Sequence, residues 1–70
     1  FELLRGKRAE LARKQGVPAY IIFGDRSLKD MASVKPTTCK AFSGVFGVGE
    51  HKLKIYAEPF IDVIKQYLNL

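Results

Sequence analysis

The sequence predicts an all-α protein, a compact bundle of five helices. Three observations lead there. Apolar residues recur at helical spacing between glycine and proline marks at Gly16 and Pro18, Gly24, Pro36, Gly44 to Gly49, and Pro59. The one strand-like run, Val17 to Phe23, has no convincing partner elsewhere in the chain, and a lone strand would leave buried backbone groups unpaired. Seventy residues hold one small domain, able to bury only about 60–65 % of its unfolded surface, and no repeat, linker or low-complexity tract divides it.

Phe1 to Gln15 is rich in helix formers. At about 100° per residue, Phe1, Leu4, Leu11 and Ala12 share one face, with Arg8 in its middle and Gln15 near its edge. A cation on a core face is expected to be a paired, structural arginine. Gly16 is placed to end the helix. Val17 to Phe23 then reads as a buried connector with a helical or 3₁₀ turn after Pro18. Ser27 is expected to cap the second helix, with Asp30 as the N3 acid of a short capping box. Leu28, Met31 and Ala32 form its inner stripe, and Val34-Lys35-Pro36 stops it.

Thr37 or Thr38 caps a short third helix that carries Cys39, Phe42 and Val45 inward; a buried cysteine packs as a small apolar residue. The last helical region runs from Glu50 to about Leu68, with Leu53, Tyr56, Phe60, Val63, Ile64 and Tyr67 on its inner side. Pro59 would clash with the Ile55 carbonyl inside a continuous helix. A break near Ala57-Glu58 is therefore expected, with Pro59 in the first turn of a fifth helix.

Composition narrows the function classes. An apolar fraction of 47 % with 27 % charged residues is that of an ordinary soluble globule, so disorder is not expected. The longest apolar run, Tyr20 to Phe23, falls far short of the roughly 20 residues of a membrane span, and no membrane partner is expected. The single Cys39 cannot form an internal disulfide, which fits a reducing compartment. With one histidine beside it, no tetrahedral zinc set is available. The chain starts at Phe1, already in a helical pattern, so residues 1–70 are expected to be a single domain excised from a longer chain. A net charge of +5 and a pI near 9.6 favour polyanionic partners.

The stretch Gly44-Val45-Phe46-Gly47-Val48-Gly49 is neither a dinucleotide fingerprint nor a phosphate-binding P-loop, because the spacing, the flanking strand and the Lys-Ser or Lys-Thr pair are missing. Placed between two helices, it resembles the turn of helix-hairpin-helix DNA-binding motifs. Gly47 and Gly49 permit a tight turn whose backbone can approach a phosphate, and Val48 can tuck into the core. The next helix begins there with open N–H groups and a positive dipole end, and Lys52 adds charge. A plain helix–helix turn would have the same look.

Tyr20 is the second candidate. Single-strand binders pair an aromatic stacking platform with a basic track, and Lys7 and Lys14 share an outer face of the first helix that could supply one. The alternative is a core aromatic beside Ile22 and Phe23. Catalysis has little support: His51 has no nucleophile beside it, and Asp25, Asp30, Glu58 and Asp62 are dispersed. No catalytic residue and no metal ligand is expected.

Taken together, Arg8, Val17-Pro18, Tyr20, Ile22-Phe23, Asp25, Ser27-Leu28, Met31-Ala32, Pro36, Phe42, Gly47-Val48-Gly49, Lys52-Leu53, Tyr56 and Phe60-Ile61 stand in one order and spacing. That order closely resembles the HRDC domain, the helicase-and-RNase-D C-terminal module, from about Phe1 to Ile64. The resemblance implies an orthogonal five-helix bundle, similar to SAM domains. It implies an accessory nucleic-acid-binding domain, without cofactor of its own, of an ATP-dependent RecQ-family DNA helicase, tuning substrate choice in unwinding, recombination and repair. ATP, Mg²⁺ and Zn²⁺ would belong to upstream parts of such a helicase.

The implied partners are single-stranded or structured DNA and the helicase core of the same chain, with the domain monomeric. The implied location is cytoplasmic, at a bacterial nucleoid, or nuclear in a eukaryote. In some bacterial members the aromatic matching Tyr20 carries weight. Nucleic-acid contact is thus expected from Tyr20, Lys7, Lys14, Gly47, Gly49 and Lys52. Phe46 and Ala57 depart from the pattern, standing where many members have a Pro, Asp or Asn and a Gly. Two other outcomes stay open: an RNA-binding module of an RNase D-type 3'-5' exonuclease, and a docking module with little DNA affinity.

Overall fold

Helix formers dominate the first segment, and they wind into α1, Glu2–Gln15. Gly16 closes it in the left-handed region at φ 67°, and the Val17 N–H bonds back to the Ala12 carbonyl, so the last turn is satisfied before Pro18 redirects the chain. One helical turn follows, α2 (Ala19–Ile22), then α3 (Asp25–Val34), α4 (Cys39–Phe42) and α5 (Glu50–Leu68). This computed structural model describes residues 1–69. Among them there are five helices and no strand.

The all-α bundle is as expected, and so is the helical turn after Pro18. The set of five differs. Pro59 lies inside an unbroken α5, and the fifth helix is α2 rather than a second half of the last region. An interior proline removes one hydrogen bond and costs about 3 kcal/mol. Here Tyr56 and Ala57 before it and Phe60, Ile61 and Ile64 after it are all buried on one face. That burial, about 1.5–3 kcal/mol for each large side chain, outweighs the local defect.

Ser27 does not cap α3. The helix begins three residues earlier than that cap predicts, at Asp25 after Gly24, and Asp25 pairs with Arg8. Arg8 is the paired arginine expected: its Nη1 donates to Asp25 Oδ1 at 2.8 Å and to the Phe23 carbonyl at 3.1 Å, and its side chain is only 12 % exposed. Asp25 is the more exposed partner, and the guanidinium holds its carboxyl below the usual aspartate range. Thr38 caps α4, accepting from the Ala41 N–H. Lys35, in the left-handed region, stops α3 before the buried Pro36.

Phe23 centres the core. Its ring meets Phe42, Tyr56 and Phe60 edge to face, with centroids 6.2, 5.7 and 5.2 Å away. Leu4, Ala12, Ile22, Leu28, Met31, Val45, Ala57, Ile61 and Ile64 complete the buried cluster. Three expected core residues lie elsewhere. Cys39 is exposed, because α4 is a single turn that buries only Phe42. Tyr67 is 65 % exposed and Phe1 is exposed too, because each lies at a helix end, where no other described helix covers it.

Candidate nucleic-acid interface

The chain from Ser43 to Gly49 returns to α3 and is fastened there at one residue from both sides. The Ser27 hydroxyl donates to the Phe46 carbonyl, and the Phe46 N–H donates to Asp30 Oδ2 at 2.8 Å. Ser27 and Asp30, read as a helix cap, serve instead as hairpin anchors. Gly47 has φ 78°, and a Cβ there would stand 2.7 Å from Ser27 Oγ, so only glycine fits. Val48 packs half-buried against the core, as expected.

Gly49 is different. Its backbone is ordinary extended chain, φ −90° and ψ 178°, with open space where a Cβ would stand. It caps α5 without any side-chain hydrogen bond, leaving the first-turn N–H groups open. Lys52 lies in that turn, partly buried, its Nζ 5.2 Å from the Phe23 ring centroid. Lys54 is tied to Glu50 at 3.9 Å.

Tyr20 is 69 % exposed, which excludes the core-aromatic alternative. The basic track beside it is not where it was expected. Lys7 and Lys14 share the carboxylate of Glu10, at 2.9 and 3.9 Å, and Lys7 lines a groove with Lys54, Glu58 and Asp62 of α5. Lys7 and Lys14 together hold the Glu10 carboxyl below its usual range, the Lys7 hydrogen bond contributing most. Ala19, next to Tyr20, lies instead with Arg5, Arg8 and Ala9 on the other flank of α1. The six expected site residues therefore fall into three places: Tyr20 on α2, the Lys7–Lys14 pair on the α5 side of α1, and Gly47, Gly49 and Lys52 at the hairpin.

Residues 1–64 match the HRDC domain family. The chain belongs to that family. The HRDC chain is 40 % identical over 67 residues to the ATP-dependent DNA helicase RecQ of Pasteurella multocida, covering 96 % of this chain and 11 % of that protein. It is 37 % identical over 70 residues to the enzyme of the same name from Bacillus subtilis, covering all of this chain and 12 % of the relative. The HRDC chain thus spans about a tenth of the length of these relatives. Among solved structures, D. radiodurans RecQ HRDC domain 3 superposes with a TM-score of 0.94 at 32 % identity, over 99 % of this chain and 91 % of that one.

One residue at this surface escaped the sequence. The Arg26 guanidinium lies 3.9 Å from the centroid of the Phe46 ring. The two are twenty positions apart, and only the return of the hairpin onto α3 brings them together. No local pattern announces it, since the helical neighbour that would attract Arg26, Asp30 at i+4, is engaged by the Phe46 backbone. Among the described residues, no three of His, Cys, Asp and Glu converge as metal ligands would.

Proposed function

We propose that this HRDC domain is the nucleic-acid-binding accessory module of an ATP-dependent 3'-5' DNA helicase of the RecQ type, and that it holds single-stranded or partly single-stranded DNA. The observation that carries this is Tyr20: a large aromatic left 69 % exposed on a one-turn helix of a basic domain. Water disfavours such exposure, and a stacked base removes it, at about 1–3 kcal/mol per base. Phosphates are held by the open first turn of α5, approached through Gly47 and Gly49, and by Lys52. Lys7 and Lys14 contribute long-range charge, since Glu10 already occupies them. Motor, nucleotide and metal sites belong to other parts of such a helicase.

The test is fluorescence anisotropy of the domain with a labelled single-stranded DNA at low and moderate salt. Affinity falls with salt as phosphate contacts require, and Tyr20→Ala weakens it about ten-fold further. A loss confined to Lys52→Ala moves the site to the hairpin. No binding at low salt overturns the proposal in favour of protein docking, and preference for a matched RNA points to an exonuclease parent.

A further inference from the structure

We infer that Phe46 and Arg26 form a second nucleobase-stacking site at the hairpin, separate from Tyr20. The inference rests on the nucleic-acid reading above but on different residues. Phe46 is 48 % exposed. Its position is set by its backbone, held through the Ser27 hydroxyl and the Asp30 carboxylate, with the left-handed Gly47 immediately after it. A side chain outside the core thus stands on a fixed stem, so little ordering remains when a ligand arrives.

Arg26 supplies the second half. It lies 3.9 Å from the ring centroid and, among the described residues, makes no ion pair. The two carboxylates nearest to it in sequence are engaged elsewhere, Asp25 by Arg8 and Asp30 by the Phe46 N–H. Its forked donors are therefore free for an anion while its plane lies near an aromatic ring. Lys29, one helical turn along α3, is also without an ion pair among the described residues.

A ligand for this pair needs a flat π-face and a negative charge close to it. A nucleotide with an unpaired base has both. The adjacent cations repel the quaternary or methylated ammonium groups that otherwise favour exposed aromatics. A plain aliphatic partner would leave Arg26 without an anion.

The chain contains no tryptophan, so Phe46→Trp places a single indole reporter at the site. That variant is titrated with a short thymidine oligomer and with an abasic oligomer of equal length, which keeps the phosphates and lacks the bases. Quenching by the thymidine oligomer alone is the expected result. By anisotropy, Phe46→Ala and Phe46→Leu each weaken thymidine binding about ten-fold, and Arg26→Gln weakens both oligomers. Circular dichroism of each variant shows that the fold is retained.

An unquenched indole, or Phe46→Leu binding as the parent does, overturns the inference. If Tyr20→Ala still weakens binding about ten-fold in that case, the DNA-binding proposal stands without it. Loss in Phe46→Leu with Tyr20→Ala unaffected supports this site and removes Tyr20 from the proposal. Absence of binding by the parent protein overturns both.

Discussion

The two ends of the bundle both expose aromatic rings, but they do so differently. At the hairpin end, Phe46 has its backbone fastened at N–H and carbonyl, a guanidinium over its ring, and a glycine whose conformation no other residue shares comfortably. At the opposite end, Phe1, Leu3 and Tyr67 rim a shallow groove of about 110 Å³ floored by Met31 and Ile64, with no hydrogen bond among the described residues to hold their side chains. The first end is specified in position and the second only in composition. A rigid exposed ring suits recognition of a defined face, whereas loose apolar side chains suit adaptable packing.

Removing what the two ends share has the largest effect. Phe23→Ala takes out the ring that Phe42, Tyr56 and Phe60 surround, at about 3–5 kcal/mol. In a domain of this size that consumes most of the stability, and urea denaturation should show both ends lost together. Gly47→Ala then separates them. Its left-handed conformation and the contact with Ser27 Oγ predict a loss of about 1–3 kcal/mol, with the hairpin amides exchanging faster while those of the α5 C-terminal half keep their protection.

The legibility of the chain in its sequence divides along the same line. Elements defined by near neighbours were readable: Gly16 ending α1, the turn after Pro18, and a threonine cap on α4, narrowed to Thr37 or Thr38. Arg8 was readable as a paired residue because a cation on an apolar face has few alternatives. Ser27 and Asp30 were misjudged because a helix cap and a long-range anchor use the same residue types. Pro59 was misjudged because a local clash competes with burial that only the assembled bundle supplies. Tyr20 was visible as a candidate, its exposure was not, and Arg26 over Phe46 depends wholly on tertiary closure.

Two finer tests sharpen the comparison. Gly49→Ser should raise stability by about 0.3 kcal/mol, since the backbone is extended, space is open, and a hydroxyl caps the first turn of α5. If those N–H groups serve phosphates, the same substitution weakens DNA binding while raising Tm, opposite signs that a merely structural turn would not give. At the other end, Leu3→Ser and Tyr67→Ser should each change stability by less than about 0.5 kcal/mol and leave DNA affinity unaltered. Acid gives the last test. The Asp25 carboxyl is held below its usual range by Arg8, so its contribution is present at neutral pH and disappears as the pH falls through that lowered value. In Arg8→Met, thermal melts below the ordinary carboxylate range should show a flatter decline than in the parent protein.

The unbroken α5 has a mechanical consequence. At 1.5 Å per residue its nineteen residues measure about 28 Å, close to the 30 Å long dimension of the whole domain. One rod therefore carries the hairpin at its start and Tyr67 near its finish, and it works as a ruler. Whatever grips one tip and whatever rests on the other are kept at a set separation, and Pro59, where the ladder lacks one hydrogen bond, is the point at which a pull would flex the rod.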